Sequence, residues 1–153
     1  MTENRRNNKK SVCVNEMSLR LPSLSVNEGM ARAAVAAFCA QLDPTASQLA
    51  DVKCAVSEAV TNCTVHAYKD AVGIIYITVK LFDDGEARII IRDKGCGIEN
   101  VSVARQPLYT TDAEGERSGM GFTVMESFCD KVKVVSRWGK GTTVTLCKRL
   151  KRR

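Results

Sequence analysis

Two polar side chains in one segment could carry acid–base or metal chemistry. Glu58 and Asn62 are four residues apart in SEAVTNCTVHAY (57–68), so a helix places them on one face, beside its apolar stripe. A carboxylate can accept a proton from a hydroxyl group, and an amide oxygen can bind a divalent cation. Solvated pairs at this spacing are also common on helix surfaces, so the spacing alone leaves both interpretations open.

A third polar side chain comes at the end of a strand pattern. The inward-facing residues of ARIIIRD (87–93) are apolar except for the last, Asp93. A buried carboxylate needs a partner, which is either a ligand amine or amide or the protein backbone. Gly95 and Gly97 follow directly, and glycines allow tight turns or close approach of a ligand to the backbone. Asp-x-Gly-x-Gly is also found in many ordinary loops.

Glycines also mark the start of a later helix. Gly119 and Gly121 open it in RSGMGF (117–122), preceded by Arg117. Free N–H groups at a helix start favour phosphate, and a guanidinium can bind a terminal phosphate through two hydrogen bonds. The irregular stretch 99–118 before this helix has the length of a functional lid. Gly141-Thr142-Thr143 comes before the last strand, where an ordinary hairpin turn is the alternative interpretation.

These residues need a scaffold, and the pattern predicts an α+β fold. Expected elements are a strand at 17–23, helices at 27–41 and 45–68, strands at 74–82 and 87–93, a short helix near 100–106, a helix at 121–129 and strands at 131–137 and 142–148. Hairpins outnumber crossovers, which predicts a two-layer sandwich with a mixed, mainly antiparallel sheet and helices on one face. Residues 1–16 are expected to be a disordered arm, 17–148 the domain and 149–153 a basic tail.

Charge and composition narrow the class of protein. The 153 residues carry a net charge of +6, but the excess lies in the two tails, so a basic face and nucleic-acid binding are not expected. No apolar run is long enough to cross a membrane, and no secretory signal is recognised, so a cytoplasmic protein is expected. The seven cysteines contain no CxxC pair and are expected to be reduced, with Cys39, Cys54 and Cys63 on apolar faces.

Taken together, the order and spacing of these motifs resemble a known ATP-binding superfamily. Glu58-x3-Asn62, Asp93-x-Gly95-x-Gly97, Gly119-x-Gly121 and Gly141-Thr142-Thr143 are similar to the fold shared by gyrase, Hsp90, histidine kinases and MutL. Within it, SEAVTNCTVHAY (57–68), IRDKGCGI (91–98), ARQPLYTT (104–111) and ERSGMGFTVMESF (116–128) resemble the anti-sigma factor serine kinases, most closely those of sporulation. The resemblance covers about residues 17–148.

The resemblance implies a role for each motif residue. Glu58 would be the general base toward a substrate serine, and Asn62 would hold Mg²⁺ between the phosphates of ATP. Asp93 would accept a hydrogen bond from the adenine amino group, and Thr143 would line the adenine pocket. Arg117 would lie near the γ-phosphate as a second catalytic residue. Gly95, Gly97, Gly119 and Gly121 would be hinge and phosphate-facing glycines of the lid.

The implied protein is a homodimer that inhibits a sporulation sigma factor and phosphorylates its own antagonist, an anti-anti-sigma protein. One alternative within the family is the kinase that controls a general stress sigma factor. Another is the ATP-binding domain of a histidine kinase, and a third is a non-catalytic protein that uses ATP only to set its shape. A phosphoacceptor histidine on a preceding helix pair is missing from the sequence, and Glu58 has no purpose in a pure binder, so the serine kinase is preferred.

Overall fold

Alternating apolar residues and helical stripes give the elements expected from the sequence, with shifted ends. The computed structural model describes residues 9–107 and 121–150. In this part the elements are β1 (Cys13–Pro22), α1 (Asn27–Cys39), α2 (Ala46–Asn62), β2 (Ile74–Phe82), β3 (Glu86–Arg92), α3 (Val101–Ala104), α4 (Gly121–Phe128), β4 (Lys131–Arg137) and β5 (Gly141–Arg149). A 3-10 turn (Ala40–Leu42) continues α1, and a π turn (Cys63–Ala67) continues α2.

The strands form one sheet in the order β1-β2-β3-β5-β4. Every neighbouring pair is antiparallel, so the prediction of a mixed sheet is wrong, although the α+β class is confirmed. β3 and β4 run in the same direction and would form a parallel pair if they were neighbours, but the connection after β3 skips one position in the sheet. β4 then takes the edge, and β5 turns back into the gap beside β3.

The helices cover one face of this sheet and close the core. Val52, Val56 and Val60 of α2 are buried at four-residue spacing. They belong to one cluster with the inward residues of the strands, which include Ile77 and Ile89. Burial of each such side chain stabilises the fold by about 1.5–3 kcal/mol. The core therefore fixes α2 across the sheet, and α2 is the helix that carries Glu58 and Asn62.

Both ends of α2 follow from local chemistry. Thr45 and Gln48 form a capping box at its start, each side chain accepting from the other's backbone N–H, which satisfies two otherwise free donors. Regular helix was expected to reach Tyr68 but ends at Asn62, where the π turn widens the backbone. The Tyr68 hydroxyl then donates to the Ile74 carbonyl at 2.8 Å and accepts from the Lys94 N–H at 2.6 Å. Tyr68 thus ties this turn to both β2 and the chain after β3.

The first and last strands are longer than the sequence pattern indicates. β1 starts at Cys13 and pairs with β2, including four residues expected in the arm. Their side chains are all exposed at the sheet edge, so no alternation reveals them. At the other end, Leu150 is fully buried and its N–H donates to the Gly85 carbonyl. The strand and its anchor therefore include Arg149 and Leu150, which were expected in the tail.

Two of the three cysteines expected on apolar faces are buried. Cys39 and Cys63 are buried, but Cys54 is exposed, because it lies outside the apolar stripe of α2. Among the described residues, no helix combines the length and apolar character required to cross a bilayer.

The sheet face turned away from the helices is strongly basic. Alternation along the strands places these cations on it: Arg20, Lys80, Arg88, Arg92, Lys94, Lys131, Lys133, Arg137 and Arg149. Its carboxylates are Glu16 and Glu86. The expectation that no basic face exists was wrong. The net charge of residues 17–147 summed along the chain is near zero, but alternation along the strands places most of the strand cations on one face of the sheet. We call this surface, defined by these residues, the basic sheet face.

Candidate functional site

Glu58 and Asn62 meet the first residue of α4. Both are half-buried and one helical turn apart on α2. A β-carbon added to Gly121 would lie 3.3 Å from the Glu58 Oε2 and 3.4 Å from the Asn62 Oδ1. The absence of a side chain at Gly121 therefore leaves a polar cradle between the two helices. The structure brings these three predicted residues together.

Asp93 lies directly after β3, buried as the alternation predicts and only 6% exposed. Its Oδ1 accepts hydrogen bonds from the N–H groups of Gly95 at 2.9 Å and Thr142 at 3.2 Å. Its Oδ2 accepts from the Cys63 thiol, with sulfur and oxygen 3.6 Å apart. Oδ1 is thus saturated by backbone donors, whereas Oδ2 has one weak donor and can accept another from a ligand.

Burial sets the protonation behaviour of this pair. Desolvation raises the pKa of Asp93, and the hydrogen bonds from Gly95, Thr142 and Cys63 partly offset that shift. The pKa of the Cys63 thiol is raised well above its ordinary value by burial and by the neighbouring carboxylate. Cys63 therefore acts as a neutral donor toward a carboxylate held in a partly apolar site.

Gly95 and Gly97 have structural reasons to be glycine. A β-carbon on Gly95 would lie 2.2 Å from the Ala67 carbonyl oxygen, and one on Gly97 would lie 2.1 Å from that of Arg137. Gly97 also has a positive φ of 75°, which favours glycine. The loop after Asp93 is therefore packed against the π turn on one side and β4 on the other. These contacts explain both glycines without a ligand.

Thr142, and not Thr143, lies on the face of Asp93. In β5 the buried residues Thr142, Val144 and Leu146 alternate with the half-buried Thr143, which is paired with Arg92 on the opposite face. The Thr142 hydroxyl is within 2.8 Å of the Ser136 hydroxyl. That serine also accepts from the Ile98 N–H at 2.7 Å. The structure does not bring Thr143 into the cluster.

The structure describes the segment before α4 only as far as Pro107. Arg117, Gly119 and most of the lid at 99–118 lie outside the described residues. The described part of the lid is 99–107, in which the Asn100 side chain caps α3. Arg105 then forms an ion pair with Glu126 of α4, which fixes this end of the segment to the helix that starts at Gly121.

Sequence reasoning missed Cys63, Tyr68, Ser136 and Thr142 as parts of the site. Cys63 directly follows Asn62, so the end of α2 touches both the Asp93 cluster and the Gly121 cradle. The signal for Thr142 was present, because inward alternation back from Leu146 arrives at 142. Nothing comparable indicates Cys63, since its contact depends on the π turn.

Comparison with known proteins is consistent with this geometry. Residues 21–148 match the family described as histidine kinase-like ATPase domain. The chain is 51% identical to the anti-sigma F factor of Priestia megaterium over 137 residues, 89% of this chain and 93% of that one. It is 56% identical to the anti-sigma F factor of a Geobacillus species over 135 residues, with 88% and 92% covered.

Among solved structures, the fold is similar to the histidine kinase domain of a blue-light activated histidine kinase from Erythrobacter litoralis. The TM-score is 0.54 at 19% identity, and the match covers 80% of this chain and 61% of that one. At this identity the likeness concerns the fold. From the family match and the sequence relatives together, the chain belongs to the histidine kinase-like ATPase family and, within it, groups with the anti-sigma F factors.

Proposed function

We propose that this protein is an anti-sigma factor that binds ATP and inhibits a sporulation sigma factor of the sigma-F type. We further propose that it is a serine kinase whose substrate is an anti-anti-sigma protein. The observation that carries the proposal is the cradle formed by Glu58, Asn62 and Gly121. It places a potential base and an oxygen ligand together at the start of a helix. The names of the sequence relatives support the sigma-factor partner.

The two clusters suit the two ends of a nucleotide. The Oδ2 of Asp93 is a buried acceptor for the adenine amino group, and its saturated Oδ1 keeps the carboxylate in one orientation. The first N–H groups of α4 have no acceptor within the helix itself, and such groups favour phosphate. Residues 62 and 63 link the clusters through consecutive positions on the chain. Recognition of adenine and of phosphate would therefore be coupled by the rigid end of α2.

The cradle also suits Mg²⁺. The Asn62 amide oxygen faces the space that a β-carbon on Gly121 would occupy, and Mg²⁺ prefers a few protein oxygens together with phosphate and water. Asn62 would hold the ion. When bound, Mg²⁺ neutralises charge on the phosphates. Among the catalytic residues, Glu58 would remove the proton of the substrate serine, and Arg117 would stabilise charge on the transferred phosphoryl group.

The proposed partners complete this function. We propose that the protein acts as a homodimer in the cytoplasm, where a sigma factor operates. Phosphorylation would inactivate the anti-anti-sigma protein, so kinase activity would preserve inhibition of the sigma factor. A general stress sigma factor is the alternative partner, and only binding measurements with both sigma factors distinguish the two.

The decisive experiment separates phosphate transfer from sigma binding. Radiolabelled ATP is incubated with the protein and the anti-anti-sigma protein encoded beside it, and the labelled residue is identified. Glu58→Gln should reduce transfer by about 10²–10⁴-fold, the usual contribution of a general base, and should retain sigma binding. Glu16→Gln, an exposed glutamate on β1, is the matched control. Normal transfer by Glu58→Gln would refute the mechanism, and label on histidine would refute the serine kinase.

A further inference from the structure

Within the described part of the chain, most cations of the basic sheet face form no ion pair. Arg88 pairs with Glu86, and Arg149 pairs with Asp84. The other seven cations of the face form no ion pair with any residue in the described ranges. The inward-facing Lys148, by contrast, pairs with Asp51 of α2. Lys148 on the helix side is thus paired with a carboxylate, whereas these seven cations on the open side of the sheet have no such pair among the described residues.

This arrangement has a cost within the sheet. Lys80 and Arg88 lie directly opposite each other on neighbouring strands, where like charges are destabilising. Lys131 and Lys133 lie two residues apart on β4 and point to the same side. A surface that retains such repulsion suits a partner that removes it, which is a polyanion.

Tyr76 lies at the centre of one row of this face. Arg92 lies over its ring at 4.7 Å, Lys94 at 5.1 Å and Arg20 at 5.6 Å from the ring centroid. Cation–π contacts of this kind hold three positive groups around one platform. These groups come from β1, from β3 and from the chain after it, so the row spans three sheet positions.

The chemistry of the face favours phosphate over a protein surface. Protein interfaces have apolar cores depleted in lysine, whereas this face has few apolar side chains, such as Ile90 and Val135. A second copy of the chain would press like charges together. Nucleic-acid interfaces are much more positively charged than protein interfaces.

Val12 and Leu150, near the two ends of the described chain, lie at one end of the same sheet. The chain enters at Val12, which exchanges hydrogen bonds with Asp83, and leaves at Leu150, which donates to Gly85. Both residues are therefore fixed at the β2–β3 turn. The sequence beyond them contains Arg5 and Arg6 on one side and Lys151, Arg152 and Arg153 on the other. Two basic stretches of the sequence therefore adjoin, along the chain, residues that are held at this end of the sheet.

We infer that the basic sheet face binds the phosphate backbone of nucleic acid, independently of base sequence. Its ligand class is a polyanionic single or double strand, held by lysine and arginine contacts from all five strands. This function is separate from the nucleotide cradle, which lies on the helix side. Binding does not require ATP, and loss of binding leaves phosphate transfer unchanged.

The test is fluorescence anisotropy of labelled oligonucleotides, about 20 nucleotides long and either single- or double-stranded, with the full chain. Affinity is measured between about 50 and 200 mM salt, and the slope of log K against log salt gives the number of phosphate contacts. Lys131→Gln with Lys133→Gln should reduce the slope for a single strand by about 1.4. Lys53→Gln with Lys69→Gln, two exposed lysines outside the face, should leave it unchanged.

Each other result overturns the inference. No binding by the native chain would exclude nucleic acid. Equal binding by both double variants would place the contacts in the tails. Tighter binding of poly-glutamate than of an oligonucleotide of equal charge would indicate an acidic protein. The phosphate-transfer assay, run on Lys131→Gln with Lys133→Gln, reports separately on the proposed kinase.

Discussion

At the scale of single residues, the two oxygens of Asp93 have different tasks. Oδ1 is fixed by two backbone donors, and Oδ2 has only the Cys63 thiol. The alternation in ARIIIRD predicts the burial of Asp93, because residue periodicity in a strand is strict. It does not predict the thiol, since Cys63 is 30 residues away in sequence and reaches Oδ2 only through the π turn.

Asp93→Asn should weaken ATP binding by about 10- to 150-fold. The amide can still accept from Gly95 and Thr142 but places a donor where Oδ2 would meet the adenine amine. Loss of a hydrogen bond to a charged group costs about 1.5–3 kcal/mol. Calorimetric titration measures the change, and Asp70→Asn is the control because Asp70 is exposed with a positive φ that asparagine tolerates. Unchanged affinity in a folded Asp93→Asn variant would disprove adenine recognition at this position.

The same substitution should alter the pH dependence of stability. Because burial raises the pKa of Asp93, the charged carboxylate lowers the free energy of unfolding above the raised pKa. As pH falls through that pKa, the folded state takes up the proton first and the penalty is relieved. Asp93→Asn should therefore be at least as stable as the native protein at pH 7, with its advantage shrinking in acid. Urea denaturation across pH tests this, and an advantage that grows in acid would contradict it.

At the scale of elements, the start of α4 and the end of α2 form the site by close approach. Sequence periodicity predicts both helices, and their spacing across the sheet follows from the core. It does not predict that Gly121 faces Glu58 and Asn62, because that depends on how the two helices cross. From the sequence alone, a glycine at a helix start can be explained by the backbone of that helix. Only the packing of α4 against α2 shows that Gly121 leaves space beside Glu58 and Asn62.

Gly121→Ala and Gly29→Ala form a matched pair. The added methyl group at Gly29 in α1 meets only Arg32, at 3.7 Å, so it should raise the free energy of unfolding by about 0.5–1 kcal/mol. The methyl group at Gly121 enters the cradle and should reduce phosphate transfer by about 10- to 100-fold through misplacement of the reacting groups. Thermal denaturation and the transfer assay are run on both. Equal activity of the two variants would remove the cradle from the mechanism.

Two loop glycines test the packing after Asp93. Gly97 and Gly139 have φ values of 75° and 78°, so alanine is strained to a similar extent at both, by about 1–2 kcal/mol. A β-carbon at Gly139 meets nothing within 4 Å, whereas one at Gly97 meets the Arg137 carbonyl. Gly97→Ala should therefore lower the free energy of unfolding by at least about 2 kcal/mol more than Gly139→Ala. Denaturant titrations that give equal values would show that the loop adjusts freely.

At the scale of the whole molecule, charge is separated between the two faces of the sheet. Residues 17–147 are nearly neutral when summed along the chain, yet their cations gather on the basic sheet face. Alternation within β4 alone predicts one part of the basic sheet face, at Lys131, Lys133 and Arg137. The rest requires the strand order, which brings Arg88 and Arg92 between β2 and β5. That order comes from a crossover that local patterns do not determine.

This separation predicts a response of stability to salt. Repulsion between unpaired cations on the basic sheet face is screened as the Debye length falls from about 10 Å at 0.1 M to about 3 Å at 1 M. Sodium chloride should therefore raise the free energy of unfolding of the native chain more than that of Lys131→Gln with Lys133→Gln. Urea denaturation at several salt concentrations measures both. An identical salt response would show that these lysines do not repel their neighbours in the folded state.

The β2–β3 turn binds both ends of the domain. Val12 is hydrogen-bonded to Asp83, and Leu150 is hydrogen-bonded to Gly85. Because the two ends of the domain are close, a short peptide can join them without disturbing the sheet. New termini can then open at Lys140, next to Gly139, where an added β-carbon would meet nothing within 4 Å. The domain is thus suited to circular permutation, which would move any fused reporter from the β2–β3 turn to the tip of the β4–β5 hairpin.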